Sequence, residues 1–224
     1  MFFIFLISFL LIAFAAFIYF QDGTDFIKLT NYSVFDLLFN KEAQKLNNIY
    51  KALQKVDGEH RILLNIHIQE GTNVHKIPAV LVHESGIHVI STLDKDGWII
   101  GSDRSSEWIN ILYKNKRVHF ENPILTNRRF VYALRDTMPE IPERAFMSVV
   151  VFSDGCSFQK VEISLEQVEV LKLREMGHWA QSLVGESLTA ADIQTIYQAL
   201  EGKMVFQKKV VVNKKKKKTP ITEV

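Results

Sequence analysis

The sequence of 224 residues predicts an α/β (α+β) domain that follows one N-terminal transmembrane helix. Three patterns support this prediction. Isoleucine or leucine occupies every even position from 62 to 68, which is the period of a half-buried strand over residues 61–69. Apolar residues between positions 33 and 55 recur at helical spacing. Residues 1–20 form an apolar run without a charged side chain.

The apolar run is long enough for a membrane anchor, because about 20 helical residues span a hydrocarbon core of roughly 30 Å. A cleaved signal peptide is the alternative, since Ala13, Phe14 and Ala15 fit the small-x-small cleavage pattern. That pattern lies inside the run, and no basic residue precedes the run, so the anchor is favoured. The lysines that follow favour a single-pass membrane protein with a cytoplasmic domain.

After the anchor we expect a juxtamembrane linker at residues 21–32, a globular domain at 33–206 and a basic disordered tail at 207–224. The domain is predicted to begin with one helix from Ser33 to Lys55. Further strands are predicted at residues 77–82, 86–92, 98–100 and 147–152, and a helix at 124–136. The last third is expected to be more helical, because Ser164 and Thr189 resemble the first residues of capping boxes.

Composition excludes several classes of protein. The formal net charge of +2 gives no overall bias toward polyanions, and the single Cys156 excludes a disulfide framework and a cysteine-rich zinc site. No P-loop, GxGxxG, HExxH or CxxC pattern occurs, and the seven histidines are scattered without metal-ligand spacing. We therefore predict no metal site and no small-molecule cofactor.

Several short motifs occur in order at close spacing, namely GIHVI, GWIIGSD, Trp108, FENPI, Asn127 and SVVVFSD. Together they resemble the NERD family of nuclease-related domains over a core of about residues 42–152. The resemblance implies a restriction-endonuclease-like fold, in which a mixed central sheet is flanked by helices. It also implies a magnesium-dependent nuclease site of the PD-(D/E)xK type, in which carboxylates hold the cation.

The family's catalytic positions are mostly altered in this chain. Glu42 matches the acidic residue of the family's first helix. Pro78 stands where the family has an aspartate, Ser91 and Leu93 stand at the glutamate and lysine of the ExK motif, and Thr126 stands at a glutamine. The resemblance thus implies a degenerate site with Glu42 as its remnant, and we predict that the domain is non-catalytic.

A metal-dependent nuclease with relocated ligands is the alternative, and magnesium would be its cofactor. Lys76 and Asp94 are the candidate substitutes, because they lie close to the altered positions. Asp94, however, has the wrong strand parity to point in the same direction as Ser91 and Leu93.

A non-catalytic domain could still bind nucleic acid or serve as an interaction module for another protein at the membrane. Basic residues surround the NPI segment and could neutralise phosphates; they are Lys114, Lys116, Arg117, Arg128 and Arg129. Trp98 and Trp108 are expected to be buried and to serve the fold rather than a ligand.

Overall fold

Two mixed sheets and the helices around them make up the computed structural model, which describes residues 2–22 and 25–204. The predicted basic tail lies outside these residues. The helices are α1 (Phe2–Asp22), α2 (Asp25–Thr30), α3 (Val34–Phe39), α4 (Lys41–Leu53), α5 (Pro123–Arg135), α6 (Met176–Ser182) and α7 (Ala190–Glu201). The strands are β1 (His60–Glu70), β2 (Asn73–His83), β3 (Gly86–Leu93), β4 (Gly97–Ser102), β5 (Glu107–Leu112), β6 (Lys116–Glu121), β7 (Phe146–Phe152), β8 (Cys156–Glu162) and β9 (Val168–Lys172).

The larger sheet has five strands in the order β1-β2-β3-β7-β9. Its first three strands are antiparallel neighbours, whereas β3, β7 and β9 run parallel. A second sheet of four strands has the order β6-β5-β4-β8, in which only β4 and β8 are parallel. The α+β class is therefore confirmed, but two mixed sheets replace the single central sheet that was predicted.

Three hydrophobic clusters hold the sheets and helices together. One lies between the larger sheet and α4 and α6, and a second lies on the opposite face, against α5 and α7. The third joins the two sheets around Trp108 and Phe152. Because β7 contributes to all three clusters, it is buried on both faces, as its continuous apolar run predicts.

The two tryptophans of the family motif differ in burial. Trp108 is fully buried, and its ring stacks on Phe152 with 5.9 Å between the ring centroids. Gly101 makes room for this ring, because a Cβ atom at that position would lie 2.2 Å from it. Trp98, in contrast, is 50% exposed, so the prediction that it is buried is wrong. Its alternation with buried Ile99 along β4 turns the indole ring outward.

The strand β1 does not keep one buried face along its length. Ile62 and Leu64 pack toward α4, whereas Ile66 packs in the cluster beside α7. The change occurs at Asn65, which has a φ of 51° and lies opposite Pro78, a residue without a backbone N–H for the ladder. This kink makes the simple alternation predicted for residues 61–69 wrong, and it leaves Asn65 and Pro78 unpaired between the Leu64–Ala79 and Ile66–Ile77 pairs.

The helix predicted from Ser33 to Lys55 is interrupted. Asn40 ends α3 and begins α4, and its side-chain oxygen accepts hydrogen bonds from the backbone N–H groups of Glu42 (2.9 Å) and Ala43 (3.3 Å). Glu42 therefore lies in the first turn of α4 rather than in the middle of a long helix. Asparagine is among the preferred residues at a helix N-cap, which explains the break.

The last third contains fewer helical residues than predicted. Ser164 opens no helix, because the chain continues into β9, which pairs with β7. The capping box at Thr189 is confirmed, since its hydroxyl accepts a hydrogen bond from the Asp192 N–H at 3.2 Å.

The N-terminal segment is helical, but it does not support the predicted membrane span. Among the helices of residues 2–22 and 25–204, none combines the length and the apolar character that crossing a membrane requires. The segment predicted as a linker contains α2, whose Phe26 is buried against Tyr50.

Candidate functional site

A cleft of about 540 Å³ opens where the N-terminal half of α4 faces the kinked part of the larger sheet. Helix α4 contributes Glu42, and the kink contributes Asn65 and Pro78. The end of β3 and the residue that follows it contribute Thr92 and Asp94. The cleft is therefore built by the irregular pairing of β1 with β2, together with the helix start that Asn40 fixes.

Of the five family positions, Glu42 and Pro78 meet in this cleft. Ser91 is buried in the sheet, and Leu93 packs in the cluster around Trp108. Thr126 lies on α5, where its hydroxyl donates to the Glu121 carboxylate at 3.2 Å. Strand alternation explains the separation, because Thr92 faces the cleft and its neighbours in sequence face away from it.

Asp94 is the second carboxylate of the cleft, and it forms an ion pair. Its Oδ2 lies 2.7 Å from the Nζ of Lys45 on α4. The side chain of Lys45 is 25% exposed, whereas that of Asp94 is 71% exposed. As strand parity predicts, Asp94 points away from Ser91 and Leu93. The cleft lies on the face that Asp94 shares with Thr92.

The cleft also contains three lysines, Lys41, Lys45 and Lys76, together with His67. Burial lowers the pKa of His67, and the positive charge of Lys76 lowers it further. The pKa of the Tyr32 hydroxyl is raised instead. Burial is the main cause, and the negative charge of Glu42 raises this pKa further.

The donor set of the cleft does not fit a magnesium ion. Magnesium prefers octahedral oxygen ligands, usually including carboxylates that can approach it closely. Here Asp94 is already paired with a lysine, and Pro78 offers no side-chain ligand atom. Within residues 2–22 and 25–204, no three histidine, cysteine, aspartate or glutamate side chains group as a metal site would need.

The five basic residues predicted to bind nucleic acid fall into two groups. Lys114, Lys116 and Arg117 lie exposed at the tip of the β5–β6 hairpin. Arg128 and Arg129 lie on α5, and Arg129 is paired with Glu121 at 2.6 Å. Because Glu121 ends β6 and Lys116 begins it, the two groups are separated by about 17 Å of strand.

Two histidines belong to the fold rather than to the cleft. The Ser85 hydroxyl lies 2.8 Å from His83 Nδ1 and 2.8 Å from His88 Nε2, while His83 Nε2 donates to the Asp57 carbonyl at 2.8 Å. Burial, with a smaller effect from His83, lowers the pKa of His88 to about 3. The network fixes the β2–β3 turn with a neutral imidazole.

Sequence reasoning missed Asn65, His67 and Lys45 as cleft residues. The one signal that pointed to the kink was Pro78, since proline is tolerated in a sheet only at edges, strand starts and irregularities. Asn65 lies opposite it, and asparagine is one of the few residues that readily adopt a positive φ.

Comparison with known proteins agrees with the motifs. The model of the NERD family, described as a nuclease-related domain, matches residues 41–153, which is half of this chain. An uncharacterized protein of Bacillus anthracis is 24% identical over 162 residues, covering 71% of this chain and 74% of that relative. No solved structure matches.

Proposed function

Because this chain belongs to the NERD family of nuclease-related domains, we propose that it is a nuclease-related protein whose domain binds its target without cleaving it. The cleft geometry is the observation that supports this proposal. Pro78 stands at the position of a family aspartate. Glu42 and Asp94 are the two carboxylates that line the cleft, and Asp94 forms an ion pair with Lys45.

Loss of metal ligands is sufficient to remove hydrolysis by the family's chemistry. Phosphodiester cleavage of this kind needs a divalent cation that stabilises charge on the phosphate and activates a water molecule. Magnesium gives up its hydration shell reluctantly, so Glu42, which forms no ion pair among the described residues, competes poorly with bulk water as a single carboxylate. Leu93 also offers no charge to orient the attacking water.

We assign nucleic-acid binding to the exposed basic side chains of the β5–β6 hairpin. These side chains are not paired with carboxylates in the described part of the chain, unlike that of Arg129. Tyr113, which is 86% exposed between them and β5, offers a ring on which a base can stack. The proposal concerns backbone contact and not sequence readout.

Replacing Lys114, Lys116 and Arg117 together by glutamine is expected to weaken DNA and RNA binding. Each phosphate contact releases about one counterion from the nucleic acid. Loss of up to three contacts should therefore reduce the magnitude of the slope of log K against log salt by about two to three. Fluorescence anisotropy at several salt concentrations measures this slope. Replacement of Lys51, Lys55 and Lys160 by glutamine changes the charge equally at other sites and is the control. An equal loss in both variants, or no binding by the unmodified protein, would favour a protein partner instead.

A second part of the proposal is that the N-terminal region attaches the domain to a membrane. The described side chains of α1 are exposed all around the helix, including Phe3 at 76% and Ile12 at 68%. Helix α3 adds an exposed apolar face in Phe35 and Phe39. Apolar exposure on this scale is typical of surfaces that contact a membrane or a partner. The domain then lies on the cytoplasmic side, as the lysines after the apolar run favour.

Attachment through α1 predicts that the full chain stays with the membrane pellet after carbonate extraction. Replacing Phe9 and Ile12 by lysine should release it, because each lysine at the centre of an apolar segment costs about 2.5–3.5 kcal/mol of insertion. Replacing Tyr113 and Val184 by lysine adds the same charge at exposed positions of the domain and should leave the protein in the pellet. Recovery of the unmodified chain in the supernatant would contradict the attachment.

A metal-dependent nuclease with relocated ligands is the second candidate. It is favoured by the fact that Glu42, Lys76 and Asp94 line the same cleft. Metal binding would then require Asp94 to leave Lys45. Addition of millimolar magnesium would raise the unfolding temperature of the unmodified protein but not of Asp94→Asn, whereas the non-catalytic reading predicts no shift in either.

A further inference from the structure

We propose that the cleft beside α4 is a metal-free binding site for the phosphate group of an organic phosphate monoester. This inference rests on the proposed function, because it gives the former catalytic cleft a binding role. It concerns a different surface from the basic hairpin, and its ligand is a terminal phosphate rather than a polyanionic backbone.

The charge balance of the cleft supports an anion. Three lysines face two carboxylates, so the lining carries one net positive charge while His67 is neutral. An aspartate in place of Pro78 would have cancelled this charge. The loss of the acidic residue therefore changes the preference of the cleft from a cation toward an anion.

Two of the three lysines are available to a ligand. Lys45 is occupied by Asp94, whereas Lys41 and Lys76 form no ion pair in the part of the chain that the structure describes. They approach the cleft from two sides, since Lys41 begins α4 and Lys76 lies on β2. Charge-assisted hydrogen bonds from lysine to phosphate are about twice as strong as neutral ones.

An amide donor lies at the kink between them. The Nδ2 of Asn65 is buried and meets no partner at hydrogen-bond geometry among the described residues. It lies beside the Tyr32 hydroxyl, which is likewise buried without a partner and whose pKa is raised by burial and lowered in part by the amide as a donor. An anion in the cleft would compete with this hydroxyl for the amide, because a buried donor without a partner costs free energy. The N–H groups of Glu42 and Ala43 in the first turn of α4 are not available, because the Asn40 side chain already accepts from both.

The size of the cleft suits an organic group attached to that phosphate. Pro78 and Thr92 are half-buried at its lining, whereas Leu46, Ile49 and Ile77 are almost fully buried beside it. The volume of about 540 Å³ greatly exceeds one phosphate and lies within the range of about 300–1,000 Å³ usual for small-molecule sites. The geometry thus suits a phosphate at the lysines with its organic group in the remaining volume of the cleft.

The test is a titration of the full-length protein, in a chelating buffer without divalent metal, with inorganic phosphate and with a dinucleotide carrying a 5′-phosphate. Lys76→Met should weaken binding of the dinucleotide by at least about tenfold, as expected for a lost charged hydrogen bond. Lys51→Met, which removes the same charge from α4 outside the cleft, should leave it unchanged. Glu42→Gln should tighten binding by about two- to tenfold, since it removes a repelling charge.

The sign of the Glu42→Gln effect separates this inference from the nuclease reading. Weaker phosphate binding in Glu42→Gln, an equal loss in Lys51→Met, or no binding of either ligand would overturn the phosphate site. Tighter binding of the dinucleotide than of inorganic phosphate would support an organic monoester as the ligand, and equal binding of the two would contradict it. Because cleavage is measured separately with metal present, an active enzyme would refute the proposed function without deciding the outcome of this titration.

Discussion

Replacing Trp108 by alanine is expected to lower the free energy of unfolding by about 3–5 kcal/mol. The indole ring is fully buried, stacks on Phe152 and donates from Nε1 to the Ser102 carbonyl at 3.0 Å. Its removal leaves a cavity where the two sheets meet, and the close approach of Gly101 provides no side chain to fill it. For a chain of this size, the midpoint of thermal unfolding should fall by about 6–20 °C.

Trp98→Ala is the matched control for this change. The side chain is 50% exposed on β4, so its truncation should cost about 1 kcal/mol or less. Equal losses in the two variants would contradict the assignment of Trp108 as the residue that joins the sheets. A large loss of nucleic-acid binding in Trp98→Ala with unchanged stability would give that exposed ring a ligand role.

The second large effect is expected from Asn127→Asp. Asn127 is fully buried on α5, and its Nδ2 donates to the Val89 carbonyl (2.9 Å), the Ser148 hydroxyl (2.9 Å) and the Val149 carbonyl (3.2 Å). An aspartate would place a charged acceptor against these acceptors, at a cost of about 3–5 kcal/mol for an uncompensated buried charge. Urea unfolding measures the loss.

The pH dependence of this variant follows from the same burial. Burial should raise the pKa of the new carboxyl, so that the folded state binds a proton that the unfolded state has released. The destabilisation should therefore be largest at neutral pH and smaller in mild acid. Asn48→Asp, the same substitution at an exposed position of α4, should show little loss at either pH. A loss in Asn127→Asp that does not change with pH would contradict the buried-charge explanation.

Local patterns were sufficient to predict most elements of the fold. The apolar run at residues 147–152 and the proline-led helix at residues 124–136 correspond to β7 and α5. Long-range pairing was not predictable in the same way. Strands β6 and β8 leave much of their surface exposed, so they are stabilised by pairing with their neighbours rather than by an apolar pattern of their own.

The site was predictable in its chemistry but not in its geometry. The motif indicated that Glu42 and Pro78 matter, and the structure places both in one cleft. It could not indicate that Ser91 and Leu93 face away, because that depends on how β3 pairs with its neighbours. Nor could it reveal the pairing of Asp94 with Lys45, since these residues are 49 positions apart in the chain.

Direct assay of phosphodiester cleavage tests the central proposal, that this NERD domain binds without catalysis. The full-length protein is incubated with single- and double-stranded DNA and with RNA, in the presence of magnesium or manganese, beside the variants Glu42→Gln and Asp94→Asn. We expect the three proteins to show the same background as a reaction without protein. Metal-dependent cleavage by the unmodified protein that either substitution abolishes would show that the ligands have moved and that the domain is an enzyme.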